Sequence, residues 1–142
     1  ASCDLAVAAE GTRFGVNGVN IGLFCSTPMV ALTRNIAPKH AFEMLSTGRF
    51  ADAEEACRMG LVNRVVPADG LETAAEELAE TVAGKLGAAV KIGKEAFYAQ
   101  AAMTTEEAYA YAGQVMVENM LWRDTEEGIA AFLEKRAPDW SQ

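Results

Sequence analysis

The sequence predicts an α/β chain with its strands in the first 66 residues and helices over the rest. Three observations carry this. "CDLAVAA", near the start, is a short apolar run of the kind found in strands buried on both faces. "TRFGV" and "LVNRVV" are the only other runs with strand character. From Asp69 onward, Ala and Leu recur at helical spacing opposite a carboxylate-rich face. A strand buried on both faces needs hydrogen-bonding neighbours on each side, and three strands beneath so many helices make a poor sheet. The expectation is therefore an αβ unit whose earlier strands precede residue 1. A processed or split protein is the other reading.

The elements follow in order. Thr27 reads as an N-cap, with Pro28 at the first helical position. "MVALTRNI" forms one or two turns broken near Pro38, and "PKHAFEMLSTG" resumes the helix with Gly48 as its stop. "ADAEEACRMG" predicts a short helix ended by Gly60, then the strand "LVNRVV" and the breaker Pro67. Asp69 to about Leu86 predicts an amphipathic helix, and "AAVKIGKEAFYAQ" another. Thr104 and Glu107 match a capping box for the long helix "EEAYAYAGQVMVENMLW". Asp124 and Glu127 stand in the same relation for "TEEGIAAFLEKR", whose Lys135-Arg136 end suits the helix dipole. Tyr111, Val115, Met116, Met120 and Trp122 spread over more than one face of the long helix, which favours contact with another subunit.

At 142 residues the chain can bury a core of its own. Hydrophobic residues make up 51% and charged residues 23%, a soluble globular composition. A net charge of −8 and a pI near 4.6 argue against nucleic-acid binding, which requires a basic stripe. No run has the length of a membrane span, and no basic lead with an apolar core marks a signal peptide. Cys3, Cys25 and Cys57 are odd in number and far apart, which favours a reducing compartment over a disulfide framework.

Each chemically suggestive residue has a plain structural explanation. His40, the single histidine, shows neither an orienting partner nor companions at metal-ligand spacing, so a helix-surface role is expected. The three cysteines are expected as small buried residues, with Cys25, next to a helix start, open to a second reading as an activated thiol. The Glu-rich stretch 72–80 reads as a solvated helix face. Gly11, Gly15, Gly18 and Gly22 match neither a dinucleotide fingerprint nor a P-loop. They are open to two explanations, turn geometry or close approach of backbone to a ligand. "RFGVNGVNIGLFCSTP" (13–28) has the form of a pocket-building loop, yet contains no Asp, Glu, His or Lys.

"SCDLAVAAEGTRFGVNGVNIGLF", "AFEMLSTGRFADAEEACRMGLVNRVVP" and "RDTEEGIAAFLEKRAPDW" resemble, in order and spacing, the crotonase (enoyl-CoA hydratase/isomerase) superfamily. The resemblance runs from residue 3 to 140. It implies the crotonase-like ββα spiral, of which residues 1–66 would be the second half and 67–142 the C-terminal helical region. That region packs family members into trimers or hexamers. It implies an acyl-CoA thioester as substrate, no separate cofactor and no metal. It also implies an oxyanion hole of two backbone N–H groups contributed by segments before residue 1, together with the first catalytic Glu. The second catalytic Glu falls on Gly18, which can neither hold nor shuttle a proton. Phe24 and Ser26, in the altered segment "FCSTPMVAL", are with Gly18 the candidate substrate-binding residues. The Ser26 backbone N–H matches one that helps hold the catalytic water. Lys135 matches a lysine near the CoA phosphates, and Met116 an aromatic that packs on the CoA adenine. "NGVNIGLFCSTP" is most similar to one subgroup of the family whose loop is also acid-free. By resemblance the compartment would be the cytoplasm, or the mitochondrial matrix in a eukaryote.

Three functional expectations follow. The first is an acyl-CoA enzyme with modified chemistry, such as isomerisation or thioester hydrolysis with at most one carboxylate. The second is a weak or inactive acyl-CoA binder using the same pocket. The third is the stable half of a cleaved polypeptide, inactive by itself.

Overall fold

The computed structural model describes residues 1–141. The chain forms two compact units, Ala1–Leu78 and Ala79–Gln142.

In the first unit, strand β1 (Val7–Ala9) pairs in parallel with β4 (Arg64–Val66), Ala8 lying opposite Val65. The Asn63 N–H donates to the Ala6 carbonyl at 2.8 Å, and the Glu10 N–H to that of Val66 at 2.8 Å, extending the ladder at both ends. Parallel strands need a crossover, and this one runs through residues 10–63. Strand β2 (Arg13–Gly15) pairs antiparallel with β3 (Phe50–Asp52). Gly15 faces Phe50, whose ring carbons lie 2.7 Å from where a Gly15 Cβ would be. The Arg13 guanidinium covers the same ring at 4.5 Å from its centroid, a cation–π contact. Glycine at 15 is what lets the ring lie flat on the strand.

Helices α1 (Pro28–Asn35), α2 (Pro38–Thr47) and α3 (Ala53–Met59) complete the unit. Gly48 and Gly60 end α2 and α3 in the left-handed conformation, φ 66° and 85°, as their sequence positions predict. After Gly60, the Leu61 N–H donates to the Ala56 carbonyl at 2.9 Å. Leu61 is therefore engaged in closing α3, and the strand expected over "LVNRVV" shortens to its last three residues. Strand β3 is absent from the sequence reading, which placed Ala51 and Asp52 in a helix. Asp52 instead caps α3, its carboxylate accepting from the Glu55 N–H at 2.7 Å, while Ala51 is fully buried in the strand. The N-cap assigned to Thr27 is also corrected. Thr27 has helical angles (φ −75°, ψ −49°) and its side chain caps nothing, because the turn starts earlier, with the Cys25 carbonyl accepting from Met29 N–H at 3.0 Å. The core has two clusters, one around Leu32, Met44 and Leu45 and one around Ala8, Ala53 and Val62, both packed by Phe14 and Leu61. The cysteines are less buried than expected: Cys3 is exposed, Cys25 and Cys57 half-buried.

Helix α4 (Leu71–Ala83) runs across the boundary, with Glu72, Glu76, Glu77 and Glu80 exposed. The second unit continues with α5 (Gly87–Gln100), α6 (Thr105–Met120) and α7 (Arg123–Glu134). The predicted capping box opens α6: Thr104 Oγ1 accepts from the Glu107 N–H, and a Glu107 oxygen accepts from the Thr104 N–H at 2.9 Å. The matching box expected at Asp124 and Glu127 does not form. Trp122 is the extended residue before α7, which moves both carboxylates into the helix and leaves them free for the chain's tail. Among the described residues of this unit only Leu86 and Ala131 are buried, and Tyr109, Met116, Val117 and Leu121 of the α6 region lie open.

Candidate functional site

Residues 16–27 link β2 to α1. The chain enters a single 3-10 turn, Gly18–Ile21, and reverses at Gly22, whose φ of 80° requires glycine. The returning segment then closes on Gly18 from both sides. The Leu23 N–H donates to the Gly18 carbonyl at 3.0 Å, and the Gly18 N–H donates to the Cys25 sulfur at 3.3 Å. A Cβ built on Gly18 would fall 2.7 Å from the Leu23 carbonyl oxygen and 2.8 Å from Cys25 Sγ. On the outer side, Asn20 lies over Gly48 at the end of α2, its Oδ1 2.6 Å from where a Gly48 Cβ would be. The turn is thus held to the helix layer.

The structure brings Gly18, Phe24 and Ser26 into this one loop. Phe24 is exposed, in line with its neighbours Ile21 and Leu23. The Ser26 N–H donates to the Phe24 carbonyl at 2.7 Å, so to hold a water or a substrate atom it must share or release that bond. Where β2 and α1 flank the loop, an apolar cavity of about 270 Å³ is lined by Val7, Phe14, Val16, Leu32, Met44 and Leu61, among others. Among the described residues that line it none has an ionisable side chain, and Gly18, Phe24 and Ser26 are not among them.

Met116 and Lys135 belong to the second unit. Met116, on α6, is exposed. Lys135 follows α7 with φ 55°, the only non-glycine residue at positive φ among those described. Its N–H donates to the Phe132 carbonyl (3.3 Å) and that of Arg136 to the Ala131 carbonyl (3.0 Å), the Schellman arrangement with lysine where glycine is usual. Beyond it the tail folds back on α7. Arg136 grips Glu127 through two nitrogens, at 2.5 and 3.0 Å, and the Asp139 N–H donates to Glu127 at 2.8 Å. Ser141 donates through N–H and Oγ to Asp124, at 2.9 and 2.7 Å. The Trp140 ring lies 3.2 Å from where a Gly128 Cβ would be.

The carboxylates with a displaced titration all move downward, and each for a structural cause. Arg49 lowers Glu55, held in a fork at 2.7 and 2.9 Å. Hydrogen bonds from Thr104 lower Glu107, and those from Ser141 lower Asp124. Arg136, then the Asp139 N–H, takes Glu127 to about 2. A general acid for neutral pH needs the opposite shift. His40 is exposed on α2. Among the described residues no group of three or more His, Cys, Asp or Glu side chains could hold a metal ion, and no helix is long and apolar enough to cross a membrane.

The family model for enoyl-CoA hydratase/isomerase matches residues 1–142. The chain belongs to that family. The rat mitochondrial enoyl-CoA hydratase domain-containing protein 3 (Rattus norvegicus) is 48% identical over 99% of this chain, which covers 47% of the rat protein. Among solved structures, an enoyl-CoA hydratase from Mycobacterium smegmatis superimposes with a TM-score of 0.93 at 51% identity, covering 99% of this chain and 55% of that one. Human enoyl-CoA hydratase domain-containing protein 3 superimposes with a TM-score of 0.91 at 45% identity, covering 98% and 55%. The fold is that of the crotonases, as the resemblance implied, and the relatives named domain-containing protein 3 belong to the subgroup that the loop resembles. The chain spans about half the length of the relatives it matches.

The loop and its missing carboxylate are legible in the sequence, whereas Cys25, open there to reading as a small core residue or an activated thiol, lies in the structure against Gly18. The local signal was the left-handed Gly22 between Gly18 and Cys25, which turns the thiol back onto the glycine.

Proposed function

We propose that this chain forms part of an acyl-CoA protein of the enoyl-CoA hydratase/isomerase type that does not carry out efficient hydration. One observation carries the reading: position 18, where the family resemblance puts the second catalytic Glu, is a glycine whose side-chain space is filled by Leu23 O and Cys25 Sγ. Hydration needs a water held and deprotonated while a proton reaches the α-carbon, the work of two carboxylates. With one carboxylate at most, an oxyanion hole still stabilises the enolate of double-bond migration or the tetrahedral oxyanion of thioester hydrolysis. The apolar cavity beside the loop favours an acyl chain over a polar substrate. Lys135 is the proposed contact to the CoA phosphates and Met116 to the adenine.

A catalytically weak acyl-CoA binder is the second reading, favoured by the same closed loop. In the family pattern the first catalytic Glu follows a Gly-Gly-Gly segment that would precede residue 1, and the residue at that position decides between the two: Glu favours an enzyme, an apolar residue a binder. The exposed apolar side chains around α6 support assembly with further copies, as a trimer or hexamer. The rat relative is mitochondrial, which favours the matrix if the source is a eukaryote. Titration calorimetry of the protein encoded by the whole reading frame tests the shared premise. A saturable exotherm with an acyl-CoA and none with the free fatty acid is expected, and absence of thioester binding would overturn it.

A further inference from the structure

We infer that Cys25 is a positioning residue, paired with Gly18 in a latch that closes the loop to any side chain at position 18. The second carboxylate is then excluded by shape as well as by sequence. Both backbone groups of Gly18 are engaged by the returning segment, the carbonyl by Leu23 N–H at 3.0 Å and the N–H by Cys25 Sγ at 3.3 Å. The space of a side chain at 18 is taken by a backbone oxygen at 2.7 Å and the sulfur at 2.8 Å, both closer than a carbon can approach. The oxygen belongs to backbone fixed by its own hydrogen bond, so it cannot move alone. Cys25 is fixed as well, because its carbonyl accepts from Met29 N–H at 3.0 Å to start α1, and the thiol packs against the Leu32–Met44 core cluster. Sulfur fits the role physically. It is large enough to fill the gap over a glycine, and as a weak acceptor it can take the Gly18 N–H within an apolar cluster. A glutamate at 18 therefore has to break the Leu23 and Cys25 contacts before it can reach a substrate.

The test is a double-mutant cycle in the protein encoded by the whole reading frame, read by thermal unfolding without ligand. Gly18→Ala is expected to lower the unfolding midpoint by about 4 °C or more. Cys25→Ala is expected to lower it in the wild-type background. In the Gly18→Ala background it should leave the midpoint unchanged or raise it, because the sulfur is then an obstruction. Cys25→Ser, which keeps an acceptor for the Gly18 N–H, should recover part of the wild-type loss. Equal effects of Cys25→Ala in both backgrounds, or an undisturbed midpoint for Gly18→Ala, would overturn the latch. If Gly18→Ala does not fold, amide exchange in the wild type decides: Gly18 and Leu23 N–H groups are expected to be protected, and free exchange at both would overturn it. Gly18→Glu is expected to gain no hydration of crotonyl-CoA, and a tenfold gain or more would show that the side chain projects freely. The cycle uses no thioester, so its failure leaves the acyl-CoA reading standing. Loss of thioester binding would likewise leave the latch standing.

Discussion

Lys135 holds a backbone conformation that L-residues adopt at a cost of about 1–2 kcal/mol, and it does so at the end of α7, where glycine would be relaxed. A positive charge at the C-terminal end of a helix partly offsets that cost. The two effects separate by substitution. Lys135→Ala keeps the strained angle and loses the charge, so it should lower the unfolding midpoint. Lys135→Gly loses the charge but relieves the angle, and should be about 1 kcal/mol more stable than the alanine variant. If the lysine also neutralises CoA phosphates, both variants lose affinity for an acyl-CoA to a similar extent. Calorimetry and thermal unfolding on the same pair check this. Affinity that follows stability rather than charge would remove Lys135 from the binding surface.

At the scale of elements, the tail after Lys135 is tied to α7 by two carboxylates, each satisfied by partners beyond the helix. Glu127 titrates at about 2 in the folded chain against an ordinary 4.5, because of Arg136 and the Asp139 N–H. A lowered carboxyl pKa stabilises the fold fully above the unfolded value and loses that contribution as pH falls through the folded one. The tail should therefore loosen between about pH 4.5 and 2. Trp140 fluorescence should report the loosening in a Trp122→Phe background. Glu127→Gln should show the loosened signal already at neutral pH, and an unchanged acid profile in that variant would contradict the clasp. The same comparison shows which elements were legible in the sequence. The stops at Gly48 and Gly60 and the box at Thr104–Glu107 depend on chemistry within a few residues, and each is read from sequence alone. Strand β3 and the tail clasp depend on partners far along the chain: Phe50 on Gly15, Ser141 on Asp124. Periodicity does not encode such pairings. Likewise the absence of an acid at Gly18 was visible in the sequence, whereas the sulfur and carbonyl occupying its place required the turn to be built.

For the whole molecule, the central claim is that a crotonase fold has kept the framework of an acyl-CoA site while position 18 withholds the second proton-transfer group. The apolar cavity, the closed loop and the absence of an acid or base between Phe14 and Pro28 all bear in that direction. None of them opposes thioester binding. Binding and hydration should therefore separate in this protein. The most direct measurement is hydration of crotonyl-CoA, followed by loss of enoyl absorbance. It would use the protein encoded by the whole reading frame, beside a family member carrying glutamate at both catalytic positions and under conditions where both bind the thioester. A rate at least about 100-fold below that of the two-carboxylate enzyme is expected, the contribution of one acid–base group. Hydration at a comparable rate would contradict it, and would mean that another group performs the proton transfer assigned to position 18.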